Sequence, residues 1–332
     1  MKKPINISSI QKTEHLDPNY LPLTMDSIKK VEDAVENDPV YGNGANGGVL
    51  REYFSSKKEN TDEITILHKI MLIDYTYSTN LSMYKNVITL SELTEIIRTT
   101  IDLDKRINDG CIDVVDEIIN KVYQKTNGKY TPLSFVSKYC TVNNCIGCEK
   151  DSFSIYDNIV ADAIPKYLDI KDSYQKDWER EKQYDNFHSL ISKMIEVYGL
   201  DKNDSHIRRK LDHFLWYPNR LNKVKVAIKK VLEKKLKNKL KIKDITAQVL
   251  MPEIVSEEVR YPVKLNRAVG RDCIDADIEN KLAEKLYVKE KLFVDISESG
   301  FLTIRFPSKK KDEVFLEPLL ALWKKINSPK ES

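Results

Sequence analysis

Apolar residues recur every three or four positions from Asp62 to Trp216, and at Pro218 that rhythm breaks. Before the break, Ile64, Leu67, Ile70, Met71 and Tyr75 fall on one helical face, and the segments 90–102, 110–125, 133–142, 155–168, 184–198 and 205–216 also read as helices. Ser91 followed by Glu95 reads as a helix start, and Asn127-Gly128 as a stop. Residues 1–60 are polar, with NDPVYGNGANGG as a loop, and predict short helices after a loosely ordered beginning. After the break, 222–243 reads as one basic helix with Val224, Ile228, Val231 or Leu232, Leu236 and Leu240 in a single apolar stripe. Strand-like runs follow: ITAQVLMPEIV, EVRYPVKLN, KLFVDIS and FLTIRF, with helices at 275–287 and 314–326 and a hairpin turn at Ser297–Gly300. The expected fold is mainly α: a helical domain over 1–221, partly irregular over 1–60, then a basic long helix and a small α+β domain of β-β-α-β-β order over 222–332.

Charge divides at nearly the same place. The net charge of +3 is the sum of a helical part with an acidic excess and a basic remainder, since residues 201–332 hold 30 Lys and Arg against 20 Asp and Glu. Within it, 201–243 holds 15 against 4. Such a field suits a polyanion, and a solvated Lys-rich helix is the plainer alternative. No run of 18 apolar residues predicts a membrane span, and no apolar stretch follows the N-terminal lysines as a secretory signal requires, so the expectation is a cytoplasmic protein with no membrane partner.

Two chemistries compete in SFVSKYCTVNNCIGCEKDSFSIYDNIV, residues 134–160. Cys140, Cys145 and Cys148 form C-x4-C-x2-C, one thiolate short of a closed metal site; Cys111 or Cys273 would have to complete it, and ordinary packed thiols are the alternative. Lys138, set among Leu133, Phe135, Val136 and Tyr139, is the second candidate, because desolvation favours the uncharged amine, the form that attacks carbon. Asp157 opens the next helix nineteen residues later. Taken singly, the lysine could snorkel to solvent and the aspartate could be no more than a helix cap.

Taken together, helix, lysine, and an aspartate behind an apolar pair resemble the helix-hairpin-helix DNA glycosylases, closest to the bifunctional 8-oxoguanine glycosylase/AP lyases of archaeal type. NGKYTPLSFVSKYC stands where that family has its hairpin and second helix, and FSIYDNIVADAI where it has its catalytic aspartate. RRKLDHFLWYP offers Asp212 and Trp216 one turn apart, similar to the Asp-x-x-x-Trp that grips the flipped base in the archaeal-type members. The chain departs from the family at the hairpin, where TPLS replaces the glycine-bearing Leu-Pro-Gly-Val-Gly. The resemblance spans roughly residues 40–220. It implies Lys138 as the nucleophile at C1′, Asp157 as the assisting carboxylate, Asp212 and Trp216 as base-binding residues, double-stranded DNA with a damaged base as partner, and no cofactor. Lys129, Arg208, Arg209, Lys210, Lys229 and Lys230 are the cations expected on DNA phosphates. The C-terminal domain is left to DNA or to a protein partner. A non-catalytic DNA-binding protein on a glycosylase-like scaffold is the competing reading, favoured by the missing hairpin glycines.

Overall fold

A computed structural model describes residues 6–16, 20–36, 46–170, 184–250, 252–255, 258–274, 276–286, 292–296 and 302–307. It divides into two compact units, Met1–Tyr217 and Pro218–Ser332. Among the described residues no helix is long and apolar enough to cross a membrane.

The first unit is helical. Its elements are α1 (Met25–Glu36), α2 (Asn46–Ser56), α3 (Glu63–Tyr77), α4 (Leu90–Arg98), α5 (Leu103–Asp109), α6 (Asp113–Lys125), α7 (Leu133–Val142), α8 (Asn158–Tyr167), α9 (Tyr184–Val197) and α10 (Ile207–Trp216). The cap of helix α4 lies two residues before the expected one: Thr89, not Ser91, accepts from Glu92 N, and the Glu92 carboxylate reaches back to Thr89 N in a complete capping box. The short α5 was hidden inside a predicted gap. It ends at Gly110, whose φ of 74° and a distance of 2.7 Å from a would-be Cβ to Ser152 admit only glycine.

Helix α7 forms the centre. Leu133, Phe135, Val136, Tyr139 and Cys140 are at most 1% exposed, and α6 lays Val114, Val115, Ile118, Ile119 and Val122 against it. The helix is buried on nearly every side, its polar Ser137, Lys138 and Thr141 included, and lies inside the unit. It runs on into a single π turn, Asn143–Gly147, which carries Asn143 and Asn144 into the interior. Such wide turns are rare and mark places where the helix gives way to another demand. Asn144 donates to Ile107 O and accepts from Ser152 N, and so closes the loop that leads to Asp157.

The expected face of α3 was out of phase. Ile64, Met71 and Tyr75 are exposed, at 63, 50 and 72%, and the buried face is Ile66, Lys69, Ile70 and Ile73. A lysine in the core shifted the pattern. Lys69 Nζ donates to Asn143 Oδ1 at 2.8 Å, Asn60 Oδ1 at 3.0 Å and the carbonyls of Lys58 and Glu59, above the ring of Phe54. Asp104 accepts from the backbone amide of Asn60 and completes the network.

The second unit contains α11 (Asn219–Leu240), α12 (Ala276–Lys285) and strands β1 (Ala247–Val249), β2 (Glu253–Val255), β3 (Glu258–Leu265), β4 (Phe293–Ile296) and β5 (Leu302–Pro307). The antiparallel order is β1-β3-β5-β4, with Tyr261 opposite Ile304 and Val294 opposite Ile304 across the two central ladders. The run ITAQVLMPEIV, expected as one strand, is two: β1 pairs with Leu265–Val263 and β2 with Arg260–Glu258, on the same edge of β3. Pro252 has no N–H for the ladder, so the strand breaks there. Helix α11 begins at Asn219, three residues earlier than expected, and buries Ile228, Val231, Leu232 and Leu236 as its stripe predicted; Val224 and Leu240 are half-buried. The expected hairpin at Ser297–Gly300 and the helix at 314–326 lie outside the described residues.

Candidate active site

Lys138 does not snorkel. It is 3% exposed, because it sits in the last turn and a half of a helix enclosed on all sides. Its amine finds three oxygens: Ser134 Oγ at 2.7 Å, one helical turn back; Tyr156 O at 3.3 Å; and Asp157 Oδ2 at 3.5 Å. The segment that brings Tyr156 and Asp157 to it is tied down independently. Ser137 Oγ accepts from Tyr156 N at 3.0 Å, and Ser154 exchanges two backbone hydrogen bonds with the fully buried Tyr184 hydroxyl. Ser134 and Ser137 therefore serve the lysine, one directly and one through the backbone it holds. Their position in SFVSK, four residues and one residue before Lys138, was the available signal.

Asp157 has two tasks. Its Oδ1 caps α8 by accepting from Ile159 N at 2.7 Å, which leaves Oδ2 turned to the lysine. The cap fixes the carboxylate, and the ion pair uses its second oxygen. Its side chain is 23% exposed against 4% for that of Lys138, so the carboxylate is the open end of the pair.

Helix α10 packs against both α8 and α1 and brings Asp212 and Trp216 on one face. Asp212 Oδ1 is closed off from solvent without a hydrogen-bond partner among the described residues. Burial pushes its carboxyl up to about 6; Arg209, His213 and Lys138 pull it down and the Asp157 carboxylate adds to the rise. These opposed influences put Asp212 within electrostatic reach of the lysine pair. Trp216 is half-buried, its ring 6.3 Å from that of Tyr217. His213, also on α10, meets Glu32 of α1 at 2.6 Å.

The expected phosphate contacts separate into two groups. Lys129 in the turn after α6, and Lys229 and Lys230 on α11, are exposed. Arg208, Arg209 and Lys210 are only half-exposed, and the charged ends of Arg209 and Lys210 are engaged within the unit, a correction to the reading of RRK as one DNA-contacting cluster. Arg209 donates to the Tyr77 hydroxyl at 3.0 Å and lies over its ring, Arg208 donates to Ser192 Oγ at 2.9 Å, and Lys210 pairs with Asp204 at 2.6 Å. The backbone amides of Arg208 and Arg209 are taken by Asp151. A helix N-terminus that needs a carboxylate cap turned these residues inward.

In the turn between α6 and α7, Asn127 and Gly128 take positive φ, and the amides of 127, 128 and 129 close back onto Gln124, Tyr123 and Thr126. Those donors serve the end of α6. The cysteines make no cluster with other ligand types: among the described residues no three His, Cys, Asp or Glu side chains could hold a metal ion together. Cys140 is wholly buried in α7, and burial pushes its thiol, and those of Cys145 and Cys148, upward.

Residues 26–147 match the family model HI_0787_N, an N-terminal domain. The match takes in Lys138, Ser134 and the Lys69 network and stops short of Asp157, Asp212 and Trp216. No curated protein and no solved structure matches.

Proposed function

We propose that this protein is a DNA glycosylase with AP-lyase activity, which removes a flipped, damaged base, an oxidised purine such as 8-oxoguanine, through a Schiff base on Lys138. One observation carries the reading: a buried amine 3.5 Å from a capped carboxylate, within reach of a second, partly protonated acid. Three groups of this kind answer three needs. The Lys138 amine attacks C1′ as the base departs, its proton passing through Asp157 to the departing base so that the carboxylate is charged again. Asp157 stabilises the positive charge that develops on the sugar, which calls for a fixed carboxylate rather than a mobile one. Asp212 holds the edge of the extruded purine by a hydrogen bond, and Trp216 offers a ring face for stacking. The imine on C1′ then acidifies C2′, and β-elimination breaks the strand on the 3′ side. The chain's own residues supply every one of these roles, so the reading calls for no cofactor.

The proposed partner is duplex DNA with a damaged base, with Lys129 and the exposed lysines of α11 as phosphate contacts. The C-terminal unit, with its basic helix, serves DNA in this reading; a protein partner is the other use of such a module. A cytoplasmic location fits a DNA substrate.

A second reading has one observation in its favour: the Lys138 amine is held by three oxygens and almost wholly covered, as in a structural lysine. On that view the protein binds DNA without chemistry. The two are separated by an end-labelled duplex carrying a single 8-oxoguanine. The enzyme cuts it without added alkali, and Lys138→Gln loses at least about a hundredfold in rate while still binding the duplex. Binding without cleavage of any lesion by the unchanged protein establishes the scaffold.

A further inference from the structure

A cleft of about 1000 Å³ opens elsewhere on the first unit, between the 149–152 loop, one face of α9, and the turn that leads into α10. Lys138, Asp157, Asp212 and Trp216 take no part in its wall. Hydroxyls of Ser152, Ser189, Ser192 and Ser205 line it together with the cations Lys202 and Arg208.

Four acids and four cations line it, Glu149, Asp151, Glu196 and Asp204 against Lys150, Lys193, Lys202 and Arg208, and three of the acids have direct partners of their own. Asp151 is committed to the amides of Arg208 and Arg209, Glu196 to Lys193 at 3.0 Å, and Asp204 to Lys210 at 2.6 Å. Glu149, at the exposed rim, stands next to Lys150 in the chain. Arg208 is different. Its guanidinium touches only hydroxyls, Ser192 Oγ at 2.9 Å and Ser154 Oγ at 3.5 Å, and among the described residues no carboxylate pairs with it. The neighbouring His188 is kept neutral, pushed down to about 3 by burial and by the Arg208 charge, so it neither neutralises nor replaces that cation. A half-buried guanidinium that makes no direct ion pair, with the Asp151 charge acting on it only through space, keeps donors available at the wall of a cleft.

The wall also says which anion. A carboxylate has two oxygens, which one guanidinium satisfies alone. Here serines line the wall from three segments as well, and that suits a group with three acceptor oxygens and a charge near two. The volume exceeds what one such group fills, and Ile7, Ile195 and Ile207 give an apolar side for the body of the molecule. We propose that this cleft binds a phosphomonoester, with Arg208, steadied by Ser192, holding the phosphate and Lys202 adding charge from the rim. The phosphate could arrive on a free mononucleotide or on the phosphorylated 5′ end of a DNA strand, and the chemistry of recognition is the same.

Calorimetric titration of the full chain tests this with thymidine 5′-monophosphate, with a 5′-phosphorylated oligonucleotide, and with thymidine and the unphosphorylated oligonucleotide as controls. The expected result is a phosphate-dependent affinity for at least one of the two, weakened about tenfold or more in Arg208→Lys and severalfold in Ser192→Ala. Because Arg208 is packed inside the unit, Lys202→Glu is the second variant; it changes an exposed side chain and is expected to weaken binding without changing the fold. Lys138→Gln is expected to bind as the unchanged protein does, which keeps this site separate from the proposed lyase chemistry. The proposal is overturned if phosphate gives no gain over the controls, or if the gain survives both Arg208→Lys and Lys202→Glu.

Discussion

Asp212 is an acid that folding disfavours in its charged form. Its folded value near 6 lies above the 3.8 of an unperturbed aspartate, so between these limits the folded chain binds more protons than the unfolded one. Stability therefore falls as pH rises from about 4 to 6, and the loss is complete above that window. Asp212→Asn removes the penalty. It is expected to raise stability by about 1–2 kcal/mol at pH 7 and by nothing measurable at pH 3.5, read from urea unfolding at both values, while weakening base recognition. A purely structural aspartate would lose stability instead. Lys69 behaves in the opposite way. Lys69→Met leaves Asn60 Oδ1, Asn143 Oδ1 and two carbonyls without their shared donor, and is expected to cost about 3–5 kcal/mol in the same measurement. Of these two residues, only Asp212 stood out in the sequence, through its spacing to Trp216. Lys69 looks like any surface lysine until α3 is seen to turn it inward.

At the scale of elements, most helices were legible from period: α7 lies where its apolar run placed it, and α6 ends at Lys125, just before the Asn127-Gly128 stop. The failures have physical causes. The face of α3 was misjudged because hydrophobic period counts a buried lysine as polar, and here the buried polar network outranks Ile64, Met71 and Tyr75. Arg209 and Lys210 were misjudged because charge counts do not reveal that Tyr77 and Asp204 engage their charged ends within the unit. The Lys138–Asp157 contact was legible as a likeness of spacing alone; the serines that build it emerged only with the fold. Helix α11 does present what its sequence promised, an apolar stripe with Lys229 and Lys230 on the outside. Changing both to glutamine is expected to weaken duplex binding and to flatten the slope of log affinity against log salt by about 2, with little change in thermal stability. An unchanged slope would remove α11 from the DNA contacts.

For the molecule as a whole, the division of labour follows the division of the chain. The first unit holds the amine, both acids and the indole, and the matched family region within it ends before Asp157. The lysine and its partners thus come from two stretches: one inside the matched domain, and one, from Asp157 to Trp216, beyond it. The second unit contributes a basic helix on a small sheet and none of those groups. The central claim concerns a covalent bond, and trapping that bond measures it most directly. Protein is mixed with duplex bearing 8-oxoguanine or an abasic site, reduced with borohydride, digested, and mapped by mass spectrometry. The expected product is a sugar-linked peptide modified at Lys138, lost in Lys138→Gln and strongly reduced in Asp157→Asn. A protein that binds these duplexes yet yields no adduct, or yields one at another lysine, contradicts the account.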